Sequence, residues 1–340
     1  MSCYDFLVST MTRQYPRTRL RRLRQASWLR SLVSENRLTV DDLILPIFVH
    51  GGDDIQAIDT LPGVFRWPLS QLPTICAQAS DAGIKCVALF PCIESRHKDP
   101  EGRFSTHRDN ILFSAIDTVK RLPLDLGVIA DVALDPYTSH GHDGVLNRQG
   151  VVDNDRTVAK LCELAVLLCR AGADIIAPSD MQDGRIGSIR LACDQAGYTN
   201  QVILSYAVKF CSSFYGPFRD AVGSNQALNS ASKSTYQQDP SNQFESAHEV
   251  ALDLEEGADI VMVKPGMPYQ DILYQIASEF KVPTFVYQVS GEYQMFFPNE
   301  EALDDANRIA MLMETLVSFK RSGAHAIVSY ASLIAANQLR

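Results

Sequence analysis

Apolar residues along this chain gather in short, nearly continuous runs, separated by segments in which they recur at helical spacing. The runs are "LILPIFV" (43–49), "CVALFP" (86–91), "GVIADVAL" (127–134), "IIAPSD" (175–180), "VILSYA" (202–207), "IVMVKP" (260–265), "TFVYQVS" (284–290) and "AIVSY" (326–330). Continuous rather than alternating apolar character is the pattern of strands buried on both faces of a parallel sheet. Between them, Val158, Leu161, Cys162, Ala165, Leu168 and Cys169 form a helical stripe that stops at Gly172. The same junction recurs in "DAGIKCVALFP", "RAGADIIAPSD", "EEGADIVMVKP" and "RSGAHAIVSY", where glycine suits the left-handed residue just past a helix end. Eight strands alternating with helices over roughly 300 residues predict an α/β fold of the (β/α)8 TIM-barrel type. A doubly wound open sheet is the alternative, but no G-x-G-x-x-G follows the first strand. Residues 1–38 read as an N-terminal arm and 39–340 as the barrel. The irregular stretch 212–243 is long for a barrel loop and reads as a lid over the site.

Barrel enzymes build their sites at the C-terminal ends of the strands. Here those ends carry Asp131, Asp135, Ser179, Asp180, Lys209, Lys264, Ser290 and Tyr330. Two lysines at the mouths of apolar strands are anomalous, since lysine is rarely buried without a partner. Each alone reads equally well as a rim salt bridge. Two on neighbouring strands, among serines and carboxylates, point instead to amines that lose proton affinity by burial and by mutual repulsion and attack carbonyl carbon as Schiff-base nucleophiles. The loop "DVALDPYTSHGHDG" adds Asp143, His140 and His142. Its carboxylates suit either a hard cation such as magnesium or the orientation of proton transfers, and its histidines read first as polar loop residues. The lid brings Arg219, Lys233 and Gln237, cations and a donor suited to a substrate carboxylate, or else a solvated basic loop.

Composition adds limits. With 46% hydrophobic and 21% charged residues among 340, the chain can bury a large core. No apolar segment reaches the roughly 20 residues of a membrane span, and no signal-peptide pattern opens the sequence, so a cytoplasmic protein without membrane contact is expected. The eight cysteines lie mostly in apolar runs without zinc-site spacing and read as reduced core thiols. Residues 1–30 hold seven arginines and one acid, a net +6 that leaves −15 for the rest against a total of −9. Because the rest is acidic, and because Leu20, Leu23, Trp28 and Leu29 interleave with the arginines, the arm suits packing on protein better than binding nucleic acid.

The motifs "DVALDPYTSHGHDG", "APSDMQDGRIGSIR", "SYAVKFCSSFYGPFRDA", "KSTYQQDP", "GADIVMVKPGMPYQDI" and "YQVSGEY", in this order, closely resemble the 5-aminolevulinate dehydratase (porphobilinogen synthase) family from about residue 17 onward. The resemblance implies a lyase of heme biosynthesis that condenses two 5-aminolevulinate molecules into porphobilinogen and releases two waters. It places Lys264 as the Schiff-base residue and Lys209 as the binder of the second substrate. Ser290 and Tyr330 would take one carboxylate, and Arg219, Lys233 and Gln237, with Ser179 nearby, the other. Asp131, Asp135 and Asp180 are the candidates for moving protons. Where some relatives carry zinc-binding cysteines, this loop has Ala133, Asp135 and Asp143, which implies the aspartate-rich type without catalytic zinc. Glu249 matches a position for an allosteric magnesium, Asp143 is a further candidate ligand, and His142 a weak one. No organic cofactor is implied. The family is typically octameric, with the arm embracing a neighbour. The stretch 295–310 and the C-terminal "SYASLIAANQLR" depart from the usual pattern but keep Tyr330.

Overall fold

The eight apolar runs form eight parallel strands that close on themselves. The structure, a computed structural model, describes residues 14–222 and 232–340, without the side chains of Arg219 and Asp220. Its strands are β1 (Leu43–His50), β2 (Gln56–Ala57), β3 (Phe65–Pro68), β4 (Cys86–Cys92), β5 (Gly127–Val132), β6 (Ile175–Pro178), β7 (Val202–Lys209), β8 (Ile260–Lys264), β9 (Thr284–Gln288) and β10 (Ala326–Ser329). The parallel ladder runs β1, β4, β5, β6, β7, β8, β9, β10, and β10 returns to β1 through Leu43 opposite Ile327 and Ile44 opposite Val328. A helix covers each crossover, as the right-handed parallel connection requires. The fold is the expected (β/α)8 barrel.

The four glycine junctions behave alike. Gly172 adopts φ +100°, its N–H bonds the Cys169 carbonyl, and the next N–H, of Ala173, reaches back to Leu168. The same pair of bonds follows Gly83, Gly257 and Gly323. Each αβ turn is thus a left-handed cap that delivers the chain directly into a strand. The helix Asn154–Ala171 buries Leu161, Leu164, Ala165, Leu168 and Cys169 against the barrel, so the predicted stripe is rotated slightly, with Val158 and Cys162 only half-buried.

Five predicted strands run past their ladders, those ending at Pro265 and Tyr330 by one residue and three others by two. β5, β6 and β9 stop at Val132, Pro178 and Gln288, while Ala133, Leu134, Ser179, Asp180, Val289 and Ser290 remain buried beyond them. Those residues are buried beyond the ladders, where of the backbone bonds between neighbouring strands the Ser179 N–H still makes one, to the Val132 carbonyl at 3.3 Å. Ser290 instead opens a helix, Ser290–Phe296. The hairpin of β2 and β3 was not anticipated. β3 pairs with the C-terminal half of β1, Phe48 opposite Arg66, and Phe65, Arg66 and Trp67 are only half-buried, which removes the pattern that would announce a strand.

The chain divides into the units Met1–Arg37 and Leu38–Arg340. The first contains a 3-10 turn, Leu20–Arg24, and a short helix, Ser27–Leu32, with no buried side chain in either. Within the expected lid, a 3-10 turn (Ser213–Tyr215) and a helix (Gly216–Ala221) pack inward, with Tyr215, Ala221 and Val222 buried. Residues 223–231 lie outside the described residues. Among the described residues no helix is long and apolar enough to cross a membrane.

Candidate active site

The ladder between β7 and β8 contains a one-residue slip that decides the centre of the site. Leu204 and Ser205 pair with Ile260 and Val261, but Val208 and Lys209 pair with Val263 and Lys264. β7 therefore spends one more residue than β8 over the same rise, a bulge. With the register of Leu204 and Ser205 continued, Lys264 would face Val208. The slip sets Lys209 opposite Lys264 and lets Tyr206, three residues earlier, share the interior with Lys209, which strict alternation forbids.

The two amines have different surroundings. Lys264 Nζ lies 4.4 Å from the Tyr287 ring centre, 5.0 Å from Tyr206, 5.2 Å from Phe218 and 5.5 Å from Tyr215. Burial in this aromatic cage, with the Lys209 charge nearby, lowers its pKa to about 7 against the pull of Asp131, Asp135 and Asp143. Lys209 is held by ion pairing: its Nζ donates to the Ser179 carbonyl and lies 3.3 Å from Asp143 Oδ1. Asp143 also takes Lys233 at 2.6 Å and the Tyr236 hydroxyl at 2.8 Å. Burial works against its ionisation, yet the two ammoniums hold it well below the usual carboxylate range. Asp135 accepts from Lys233 at 3.3 Å. Asp131 is pushed up to about 7 by burial and by Asp135, and its Oδ1 has no hydrogen-bond partner.

Two of the expected carboxylate binders, Ser290 and Tyr330, bond residues of the aromatic cage or its neighbours. Ser290 Oγ accepts the Phe218 N–H at 2.9 Å and donates to the Phe214 carbonyl at 3.3 Å. The Tyr330 hydroxyl meets that of Tyr287, the cage residue nearest Lys264, at 3.2 Å. Gln237 is buried with its Oε1 unpartnered. The Arg219 side chain lies outside the described residues. The sequence profile of the delta-aminolevulinic acid dehydratase family matches residues 17–338. The chain belongs to that family.

Among its relatives, the Bradyrhizobium diazoefficiens delta-aminolevulinic acid dehydratase is 46% identical, covering 95% of this chain and 91% of its own. The chloroplastic one of Pisum sativum is 42% identical over 92% and 78%. The crystal structure of the Toxoplasma gondii dehydratase (porphobilinogen synthase), in complex with the reaction product porphobilinogen, superposes with a TM-score of 0.91 at 42% identity, covering 94% and 91%.

Three residues expected in the site have other partners. Asp180 turns toward Arg185, 3.6 Å away, and the Gln182 N–H at 2.8 Å. Burial raises it to about 6 despite Arg185. Arg185 is itself buried and bonds Asp253 and Ser205, so Asp180 faces a buried Arg185–Asp253–Ser205 cluster next to Ser179, whose carbonyl takes Lys209. Asp143, the further metal candidate, is occupied by lysines, and His142 by the Tyr236 hydroxyl at 3.2 Å. Among the described residues no group of three or more His, Cys, Asp or Glu is arranged to hold a metal ion. Glu249 is half-buried and lines a polar cavity of about 300 Å³ with Glu245, Asp183, Tyr236 and Gln237. Reading the sequence missed the cage of Tyr206, Tyr215, Phe218 and Tyr287, because Tyr206 and Tyr287 lie in apolar strands and look like core, while Tyr215 and Phe218 come from the turn and helix of the expected lid. Tyr236 was missed as well, although it and all four cage residues lie inside the motifs that carry the family resemblance.

Proposed function

We propose that this protein is a porphobilinogen synthase, joining two 5-aminolevulinate molecules to porphobilinogen with loss of two waters. The observation that carries the reading is the in-register pair Lys209 and Lys264, one amine ion-paired and the other desolvated by aromatic rings. A neutral amine attacks a ketone, expels water and leaves an imine, which acidifies the neighbouring C–H. Lys264 takes that role on one substrate, and Lys209 holds the second. Ser290 and Tyr330 receive one substrate carboxylate; Arg219, Lys233 and Gln237 receive the other, near Ser179. Two distinct clamps are what an asymmetric union of identical keto acids needs, and holding both reactants removes much of the entropic barrier. Asp131 is the proton carrier we favour, because it is buried beside the lysines with an unpartnered oxygen. Asp135, tied to Lys233, orients that cation.

The loop after β5 offers zinc no thiolate, and its Asp135 and Asp143 already bind ammoniums, so no step is routed through a metal there. Magnesium is proposed at Glu249. Burial pushes that carboxyl up to about 7, and magnesium needs only one or two carboxylates because it keeps several waters. When bound it would supply fixed positive charge beside Tyr236 and Gln237, which border the same cavity. We further infer a homo-octamer in the cytoplasm. The exposed Leu20, Trp28 and Leu32 of the arm support assembly, and the buried free thiols Cys76, Cys169 and Cys193 suit a reducing compartment.

Borohydride reduction in the presence of 5-aminolevulinate, followed by peptide mapping, should give an adduct on Lys264, and Lys264→Ala should abolish porphobilinogen formation. A class I aldolase would give the adduct but a different product. Absence of any adduct on either lysine, in folded protein supplied with magnesium, would remove the assignment.

A further inference from the structure

Glu292 is fully buried between the elements that carry Lys264 and Ser290, and the proposed reaction gives it no task. It stands in the first turn of the helix Ser290–Phe296. Its Oε2 accepts the Val289 N–H at 2.6 Å and the Gly266 N–H at 3.4 Å, and its Oε1 accepts the Met267 N–H. Pro265 has no N–H, so Gly266 and Met267 are the first backbone donors after Lys264. Val289 immediately precedes Ser290. One carboxylate therefore fastens the loop leaving β8 to the turn leaving β9.

Three convergent amide donors form a site that only an acceptor-only group satisfies completely. Burial drives the carboxyl up to about 7 while the three N–H groups pull the other way. The opposite side of the lysine is held as well, since the Lys264 carbonyl accepts from the Phe210 N–H at 3.1 Å and the Tyr215 hydroxyl at 3.2 Å. Glu292 supplies the restraint that those two bonds do not.

We propose that Glu292 is a positioning residue for the reaction: its carboxylate sets Lys264 relative to Ser290, so that a substrate held by its acid group at Ser290 presents its ketone to the amine. The inference rests on the reading of Lys264 as the imine-forming residue. Displacing a reacting group by about 1 Å can cost on the order of 100-fold in rate, so a restraint with no substrate contact can still govern turnover.

Glu292→Gln preserves size but turns one acceptor into an NH2. If its oxygen serves Val289 and Gly266, the NH2 faces the Met267 N–H, donor against donor. The measurement is kcat, KM and the borohydride adducts on Lys264 and Lys209 at saturating 5-aminolevulinate, with a thermal melt to show that the variant is folded at the assay temperature. We expect kcat to fall by about tenfold or more, with the Lys264 adduct falling in step and the Lys209 adduct unchanged. Wild-type kcat, or equal loss of both adducts, would overturn the proposal, the latter because it reports general loosening. If the Gln variant does not fold, Glu292→Asp replaces it: the charge remains, the reach shortens, and an unaltered Lys264 adduct would overturn the proposal. Wild-type protein run alongside separates the two ideas. No Lys264 adduct in wild type ends the imine reading and this inference together, whereas a wild-type adduct with unaffected variants ends this inference alone.

Discussion

At the residue scale, the site turns on one residue type in two environments. Lys209 shares Asp143 with Lys233, and its charge is matched by a carboxylate. Lys264 has aromatic faces around it, which attract a cation weakly and do not replace its lost hydration. Its pKa is lowered to about 7, so the amine is mostly neutral above that pH and mostly ammonium below it. Only the neutral form is nucleophilic. The initial rate of adduct trapping on Lys264 should therefore rise as pH increases toward 7, by about tenfold per unit well below it, and level off above it. Asp131 titrates in the same sense for catalysis, since its carboxyl, pushed up to about 7, becomes a base only above that pH. A trapping rate that stays flat down through pH 6 and 5.5 would mean that Lys264 is not the titrating nucleophile. The lysines were legible in the sequence because a charge at the end of an apolar run is conspicuous. The cage was not, since the rings of Tyr206 and Tyr287 in their strands look the same whether they face core or amine, and those of Tyr215 and Phe218 arrive from a separate turn and helix.

At the element scale, what positions these side chains is backbone geometry that leaves little trace in composition. The β7 bulge aligns Lys209 with Lys264, yet nothing in "VILSYAVK" distinguishes a bulged strand from a regular one, because register belongs to the pair of strands. The glycine junctions were readable because a left-handed cap needs a particular residue. Glu292 was unreadable because its partners are backbone amides, which every sequence has. Gly291 is a similar case. A Cβ there would lie 2.6 Å from the Phe214 carbonyl oxygen and 2.9 Å from its Cα. The helix Ser290–Phe296 can approach the Ser213–Tyr215 turn closely enough for Ser290 to bond Phe214 and Phe218 only with glycine at 291. Backbone cannot rotate away as a side chain can, so Gly291→Ala should push the two segments apart and cost roughly 1–3 kcal/mol by overpacking. Because Ser290 is the proposed carboxylate clamp, KM for 5-aminolevulinate should rise by about tenfold, the effect expected from losing a binding contact. Steady-state kinetics on the folded variant test this, and an unchanged KM would separate Ser290 from substrate binding.

At the scale of the whole molecule, the barrel and the arm pose different energetic problems. The barrel closes its ladder and buries its apolar strands, so Leu38–Arg340 contains the core it needs. The arm does not. Its described helical turns bury no side chain, while Leu20 is 63% exposed, Trp28 67% and Leu32 70%. Burying apolar surface yields roughly 25 cal/mol per Å², so these residues favour contact with another surface, and a net +6 on residues 1–30 opposite −15 on the remainder makes a second copy of the chain electrostatically suitable. Removing residues 1–37 should therefore leave a folded barrel that sediments as a smaller species than the full chain. Sedimentation velocity decides the matter, run at low and high salt because contacts between exposed charges weaken as ionic strength rises. A truncated protein that sediments with the same subunit number as the full chain would take assembly away from the arm and place it on the barrel.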